Sequence, residues 1–459
     1  MSEAILSDNS IVREERQAKE WTPAKVIYTC LMAFNLLSFL WLLATGSGIE
    51  MSPIIWIARI ATAPLAIYLG KLWKDRGFQI LSIYTLFFFF RAYISHPENI
   101  FCAELSESVF SALWIFAGCY GLGRILSRET LTRLLFIITV IWTIGIVAFS
   151  CVGIYAAWVG KTITLWGDSI IDIRLHGRLN IVYSGTTSGA VLCLSALIAM
   201  IPIFSKKSRL AKMFFFFSEI PLIIALALTD SRTAYISFSV GIGIIAAITF
   251  LQGVSQDKKR KSFKWIIGII IILVISAIVL ICLMQITPLF IRLKTKGIFP
   301  VAMAESPEGG LLHRGFSGEN IFSGRISLWR EVIHCFKQRP ILFFVGESKY
   351  QPIRIFSDYY AHCHCLYLQI LLESGIPGIL MILYFIIHTG RAGIRLIKKK
   401  GYPNWTAFLL AVTFSFWLGD IAECFIWLRA SQCPMIAVEF IFAGILTANA
   451  SLNRQQKVN

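Results

Sequence analysis

Charged residues are scarce in this chain of 459 residues. Asp, Glu, Lys and Arg together make up 15% of it, whereas 56% of its residues are hydrophobic and the mean hydropathy is +0.70. Soluble globular domains carry about 25% charged residues. The scarcity of charge therefore excludes a set of ordinary soluble domains, although the length alone would fit two or three of them.

A disulfide framework is also missing from the sequence. Most of the 11 cysteines stand singly in apolar stretches, where a thiol packs as a small hydrophobic group. The run His-Cys-His-Cys at 362–365 has no accompanying C-x-x-C pair, and adjacent alternating ligands cannot all reach one tetrahedral ion. We therefore expect neither a metal site nor another cofactor. A disulfide from Cys335 to Cys363 or Cys365 stays open outside the cytoplasm.

The sequence has instead a series of apolar runs, each about twenty residues long, which is the length of a helix that crosses a bilayer. Because backbone groups in hydrocarbon must be paired within their own segment, such runs predict helices. The predicted fold is an all-α polytopic membrane protein with about twelve spans. They cover residues 24–45, 52–70, 77–94, 106–123, 134–157, 181–204, 213–229, 233–251, 265–287, 366–388, 405–425 and 430–448.

The distribution of basic residues predicts the orientation of these spans. Most of the 43 Lys and Arg lie on the side that also holds both termini, and the positive-inside rule places this side in the cytoplasm. Topology thus explains the net charge of +17 without nucleic acid. The predicted layout is a cytoplasmic tail (1–23), nine helices (24–287), a large extracytoplasmic loop with short helices (288–365), three helices (366–448) and a cytoplasmic tail (449–459).

The large loop contains a predicted helix over residues 325–339. Arg325 shares one face with Trp329 and with two apolar residues further along, whereas Arg330 lies on another face. Pro340 ends the helix. Because Arg325 lies in the first turn and on the apolar face, we expect it to point toward the membrane domain.

Three ionisable residues stand at predicted helix starts on the extracytoplasmic side. Arg232 opens one span, Arg325 opens the loop helix, and His364 directly precedes another span. Helix N-termini favour anions, and arginines hold pyrophosphate by forked hydrogen bonds. The imidazole of a histidine such as His364 can act as a general base. The alternatives are arginines that extend to lipid head groups and a histidine with a structural role.

Several ionisable residues lie at membrane depth, where a charge is costly unless it is paired or lines a wet cavity. We expect Arg59, Arg91 and Glu373 to bind substrate, with an internal salt bridge between either arginine and Glu373 as the alternative. Trp329, Arg330 and His362 complete the candidate substrate-binding residues. Further acidic candidates in the last spans are Asp420, Glu423 and Glu439.

These motifs resemble those of the bacterial O-antigen ligase and O-antigen polymerase superfamily. The stretch GRISLWREVIHCFKQRPILFFVGES, followed by AHCHCLYLQILLESGIPG, is similar to the family's signature region, and TDSRTAYI is similar to its Ser-Arg motif. The family layout is about twelve helices with one large outer loop late in the chain.

The resemblance implies a metal-independent, inverting glycosyltransferase in the bacterial cytoplasmic membrane. Such an enzyme takes a glycan from an undecaprenyl-pyrophosphate carrier and joins it, on the outer face, to a sugar hydroxyl of a glycan or glycolipid acceptor. That acceptor is a lipid A-core in a cell with an outer membrane. By resemblance, Arg232 and Arg325 hold the pyrophosphate, and His364 activates the acceptor or helps to bind it.

The chain departs from the family pattern at two places. The family commonly has His-Asn where this sequence has His364 and Cys365, and it has Gly-x-Gly where this sequence has Val-Gly-Glu at 345–347. Either change is consistent with a different acceptor. His362 also offers a rival register for the catalytic histidine, although His364 directly precedes the start of the helix.

Two other functions stay open. A polymerase of O-antigen or capsular polysaccharide would use the same donor and differ in its acceptor. A transporter or flippase of an anionic lipid-linked glycan would use the same arginines for binding, but transporters usually contain paired repeats with broken helices in both halves. This sequence shows one Gly/Pro-interrupted helix, at 366–388, without a counterpart in the first half. Glycan transfer is therefore the favoured hypothesis.

Overall fold

The structure is a computed structural model that describes thirteen stretches of the chain. They are residues 21–45, 53–95, 110–159, 162–164, 170–174, 178–181, 185–204, 208–253, 261–295, 325–347, 363–397, 405–421 and 434–458.

Within these residues the fold is almost entirely helical. The helices are α1 (Pro23–Thr45), α2 (Pro53–Gly70), α3 (Arg76–Ser95), α4 (Phe110–Ile125), α5 (Arg128–Val159), α6 (Gly185–Phe204), α7 (Arg209–Leu228), α8 (Arg232–Gly253), α9 (Lys261–Thr295), α10 (Arg325–Gln338), α11 (Pro340–Val345), α12 (Leu366–Ile397), α13 (Trp405–Gly419) and α14 (Pro434–Val458). A short 3-10 turn at Leu72–Lys74 joins α2 to α3, and α4 contains a π-helical turn at Trp114–Cys119.

Seven of the described helices are long and apolar enough to cross a membrane. These are α1, α2, α5, α7, α8, α9 and α12, and shorter apolar helices lie within α4, α6, α13 and α14. Large apolar side chains such as Leu273 and Ile281 on α9 are more than half exposed, which suits contact with lipid rather than water. The prediction of an all-α polytopic membrane protein is confirmed in this form, and the count of twelve spans stays a prediction.

A small sheet lies between α5 and α6, in a stretch that separates two of the predicted spans. Strands β1 (Ile163–Thr164), β2 (Ile170–Arg174) and β3 (Arg178–Asn180) pair antiparallel in that order. Ile171 and Leu179 are buried, and Leu179 packs beside Gly153 of α5. The strands thus cover one end of α5. They are too short for their alternation to stand out in so apolar a sequence.

The packed face of α10 lies close to the predicted one, since Val332 is fully buried, but Arg325, Trp329 and Phe336 are only half-buried. Leu328, Val332 and Cys335 are buried, whereas Arg330 and His334 are exposed. The helix ends at residue 338, just before Pro340, which opens α11. Because its packed face is narrow and its other face polar, α10 lies against the helical bundle rather than within it.

Helix α12 is broken where the sequence predicts a kink. Gly375 has φ 64° and ψ −162°, and Pro377 follows two residues later. A proline cannot donate the hydrogen bond that continues a helix. The break leaves the carbonyl of Leu372 available, and the backbone N–H of Glu347 donates to it at 2.7 Å. The end of α11 is thereby joined to the middle of α12.

Candidate active site

Arg325, the first residue of α10, lies beside the N-terminus of α8. Its Nη1 donates a hydrogen bond of 3.3 Å to Oγ1 of Thr233. Thr233 is buried and directly follows Arg232, which is the first residue of α8. The two arginines that the sequence predicts to bind an anion therefore stand at neighbouring helix N-termini, where backbone N–H groups and the helix dipoles add to their positive charge.

The N-terminus of α8 is supported by hydrogen bonds from two helices. Asp230, in the turn before it, has a left-handed backbone with φ 46°. The carbonyl of Ala227 in α7 accepts hydrogen bonds from the hydroxyls of Tyr235 in α8 and, at 2.9 Å, Thr287 in α9. These bonds tie α7, α8 and α9 together next to Arg232. The start of α8 is thus packed against two other helices.

One turn along α10, Trp329 connects the loop helix to the start of α12. Its Nε1 donates to the carbonyl of Cys363 at 3.0 Å. Residues four apart on a helix share a face, with Cβ atoms about 6 Å apart. Trp329 and Arg325 therefore place one face of α10 against both the α8 N-terminus and the segment that contains His364.

His364 lies in a short segment whose conformation is set by its neighbours. Its φ of 52° is left-handed, a conformation that costs a non-glycine residue about 1–2 kcal/mol. The backbone N–H of Cys363 donates to Oε1 of Gln369 at 3.1 Å, and Nε2 of Gln369 donates to Oε1 of Glu373 at 2.8 Å. Backbone strain of this kind is often found at functional sites.

Glu373 accepts a hydrogen bond from Gln369, a contact that the sequence did not indicate. The side chain is 2% exposed and supports the His364 segment through Gln369, a residue that the sequence analysis did not single out. Gln369 could have been found from the sequence, because it ends the Leu-Tyr-Leu-Gln run that resembles the family's motif.

The N-terminus of α12 is also bound by the end of α13. The carbonyl of Asp420 accepts the backbone N–H of Leu366 at 2.9 Å, and the hydroxyl of Tyr367 donates to the carbonyl of Trp417 at 2.7 Å. The first N–H groups of a helix have no partner within it, so Asp420 satisfies one of them. This acidic residue thus acts through its backbone at the start of α12.

Arg59 is enclosed by aromatic rings. Its guanidinium carbon lies 4.4 Å from the ring centroid of Trp114, 5.2 Å from that of Phe39 and 5.8 Å from that of Trp56. The residue is fully buried. Cation–π contacts stabilise a guanidinium away from water, so the structure gives Arg59 a packing environment among α1, α2 and α4.

Arg91 contacts the end of α11. Its Nη2 donates to the carbonyl of Gly346 at 2.6 Å, although the two residues are 255 positions apart. The salt bridge of either arginine with Glu373, which the sequence left open, stays a prediction. The role of both arginines in substrate binding stays a prediction.

The remaining candidates lie apart from this group or outside the described residues. Arg330 is exposed on the face of α10 that points away from the packed face. His362 and Glu423 lie outside the described residues. Glu439 is buried in α14.

The cysteines around the site are free thiols. Cys335, Cys363 and Cys365 form no disulfide, and Sγ of Cys363 donates to the carbonyl of Cys365 at 3.2 Å. Burial raises the pKa of Cys365 to about 11. Burial, and after it the carboxylate of Glu347, also raise the pKa of Cys335. Among the described residues, no group of three or more His, Cys, Asp or Glu side chains is arranged to hold a metal ion.

The comparison with protein families finds one match in this part of the chain. Residues 217–383 match the family model described as O-antigen ligase. Residues 217–383 are an O-antigen ligase domain. The O-antigen ligase domain contains Arg232, Arg325 and His364, whereas Arg59 and Arg91 lie outside it. A search of curated proteins finds no match to the chain.

The O-antigen ligase domain and the apolar helices together indicate a multi-pass membrane protein of the bacterial inner membrane that takes part in polysaccharide biosynthesis. The domain supports membrane glycan transfer of the ligase or polymerase type. It also supports lipid-linked oligosaccharides and glycan acceptors as the general classes of substrate.

Proposed function

We propose that this protein transfers a glycan from an undecaprenyl-pyrophosphate carrier to a sugar hydroxyl of a lipid-linked or surface acceptor. The reaction takes place on the outer face of the inner membrane, and both termini are cytoplasmic. The observation that carries the proposal is the hydrogen bond from Arg325 to Thr233, because it joins the N-termini of α10 and α8. Arg232 stands at the same point.

The leaving group of this reaction is a pyrophosphate that gains negative charge as the bond to the sugar breaks. Arg232 and Arg325 bind its oxygens, and the two helix N-termini add oriented N–H groups. Charge stabilisation by groups that are already in place is a large contribution to catalysis. Two guanidinium groups supply it here, so the proposed transfer needs no metal ion.

His364 is the proposed general base. It takes the proton from the acceptor hydroxyl while the hydroxyl oxygen bonds to the anomeric carbon, and the carrier pyrophosphate leaves from the opposite side of that carbon. The configuration at the anomeric carbon is therefore inverted. The hydrogen bond that the Cys363 backbone N–H donates to Oε1 of Gln369 restrains the segment around His364, which limits the motion of the base.

The proposal is tested with purified protein in liposomes that contain an undecaprenyl-pyrophosphate oligosaccharide and a lipid A-core glycolipid. We expect carrier release and a lengthened glycolipid, detected by mass spectrometry, with EDTA present. Arg232→Ala, Arg325→Ala and His364→Ala each reduce the rate by about a hundredfold or more. The matched controls are Arg209→Ala, at the exposed start of α7, and His334→Ala, on the exposed face of α10.

Other outcomes separate the alternatives. Carrier that changes leaflet without bond cleavage would favour a transporter. A product that remains on the undecaprenyl carrier, with a longer glycan, would identify a polymerase. Loss of transfer in EDTA that zinc or magnesium restores would contradict the metal-independent mechanism.

A further inference from the structure

The turn that follows α11 is held from three directions. The carbonyl of Gly346 accepts from Nη2 of Arg91 at 2.6 Å, and the N–H of Glu347 donates to the carbonyl of Leu372 at 2.7 Å. The carboxylate of Glu347 also accepts from Nη1 of Arg339 at 2.9 Å. Helices α3, α11 and α12 thus meet at Gly346 and Glu347. These two residues belong to the turn in which the sequence departs from the Gly-x-Gly pattern of the family.

Two glycines let the backbones of α11 and α12 touch at this point. Gly346 has φ 74° and Gly375 has φ 64°. A Cβ on Gly346 would lie 2.4 Å from the carbonyl oxygen of Glu373, and a Cβ on Gly375 would lie 2.4 Å from that of Phe344. Side chains cannot adjust to relieve such contacts, because both partners are backbone. The turn after α11 can therefore pack this closely on α12 only where these two glycines face the partner backbone.

The position of this turn contributes to where Arg325 lies. Helix α10 has 14 residues, with Arg325 at its start, and only Arg339 separates its end from α11. At 1.5 Å per residue the helix is about 20 Å long, so a tilt of about 5° at the α11 end moves Arg325 by about 2 Å. Misplacement of a reacting group by about 1 Å can reduce a rate a hundredfold.

We propose that Arg91 is a positioning residue for the donor site. It holds the Gly346 turn by a charge-assisted hydrogen bond and, through α10, keeps Arg325 at the N-terminus of α8. The inference rests on the proposed function, since Arg325 is there assigned to the donor pyrophosphate. It also gives the N-terminal half of the chain a role, because Arg91 lies on α3 and outside the O-antigen ligase domain.

The test compares Arg91→Gln with Arg76→Gln, which makes the same change at the exposed first residue of the same helix. Hydrogen exchange of the solubilised protein, followed by mass spectrometry, reports on α10 and α11 without any substrate. We expect about tenfold faster exchange in residues 325–345 of Arg91→Gln, with α5 and α9 unchanged and with no change in Arg76→Gln.

Kinetics in the reconstituted system provide the second measurement. In Arg91→Gln we expect kcat/KM for the undecaprenyl-pyrophosphate oligosaccharide to fall by about tenfold to a hundredfold. The KM for the acceptor glycolipid changes less, because Gln369 and the carbonyl of Asp420 also hold the segment around His364. Arg91→Lys keeps a charged donor, although a single ammonium replaces the forked guanidinium, and it recovers part of both the protection and the rate.

Three results would overturn the inference. They are unchanged exchange in residues 325–345, a loss of rate without any change in exchange, and an equal effect of Arg76→Gln. If Arg91→Gln does not fold, Arg91→Lys decides, and wild-type exchange and wild-type kinetics in that variant also overturn the inference. If the wild-type protein transfers no glycan at all, the proposed function fails, whereas the exchange experiment still decides whether Arg91 positions α10.

Discussion

Nη1 of Arg325 lies 3.3 Å from Oγ1 of Thr233, although the two residues are 92 positions apart in the chain. The contact brings the positive ends of α10 and α8 together, and with them Arg232. Each of these helix N-termini carries an arginine, and such termini favour a bound anion. The proposed function therefore assigns this place to the pyrophosphate of the donor.

The hydroxyl of Thr233 is expected to hold Arg325 in place. Thr233→Val has nearly the same shape but removes the acceptor, so we expect kcat/KM for the lipid-linked donor to fall about fivefold, which corresponds to about 1 kcal/mol. Thr233→Ser keeps the hydroxyl and retains most of the rate. Carrier release in liposomes measures both variants, and equal rates for Thr233→Val and wild type would show that other contacts place Arg325.

The indole N–H of Trp329 is expected to stabilise the junction of α10 and α12. Trp329→Phe keeps an aromatic ring but leaves the carbonyl of Cys363 without its donor. The free energy of unfolding should therefore decrease by about 1 kcal/mol. Unfolding in mixed micelles measures it, with Trp73→Phe as the control, because Trp73 is 48% exposed. An equal effect of both substitutions would contradict the prediction.

Gly346 should not tolerate a side chain. In Gly346→Ala the φ of 74° costs about 1–2 kcal/mol, and the Cβ would approach the Glu373 carbonyl oxygen to 2.4 Å. We expect the free energy of unfolding to decrease by more than about 2 kcal/mol, or the variant not to fold at all. Gly145→Ala on α5 is the control, since its Cβ meets the flexible Leu40 side chain at 3.0 Å. Thermal unfolding in detergent ranks the two, and similar melting temperatures would refute the prediction.

Alkylation of Cys365 should depend on pH over an unusually high range. Its pKa is raised to about 11 by burial, so the thiol stays protonated at neutral pH, and the thiolate is the reactive form. In the folded protein we expect the rate at which maleimide alkylates Cys365 to rise about tenfold per pH unit up to pH 10. In a proteolytic peptide that contains Cys365 the rise ends near pH 8.5. Peptide mass spectrometry follows both, and coinciding profiles would contradict the burial.

Local patterns predicted those parts of the structure that depend on neighbouring residues. The apolar spacing along α10 predicted its packed face, and Val332 is fully buried there. The Gly-Ile-Pro-Gly run predicted the break in α12, where Gly375 has a non-helical backbone. Both signals are local, since helix periodicity and backbone restrictions act over a few residues.

The contacts of the membrane-embedded arginines were not predictable in the same way. The sequence placed Arg59 and Arg91 at membrane depth and offered substrate or Glu373 as partners. The structure surrounds Arg59 with aromatic rings and gives Arg91 the carbonyl of Gly346. Backbone carbonyls and ring faces are present throughout any sequence, so composition cannot indicate which of them a distant side chain will meet.

The amino-acid sequence by itself determined that this protein is helical, that it lies in a membrane, and that its reactive side chains are concentrated near α8, α10 and the start of α12. Apolar length, Lys and Arg placement and helix periodicity carry that information, because each depends on residues close in the chain. Only the tertiary structure decided that Arg325 meets Thr233 and that Arg91 meets Gly346. Those contacts join residues far apart in the chain, and they depend on how the helices pack and on the close approach of the α11 and α12 backbones at Gly346 and Gly375.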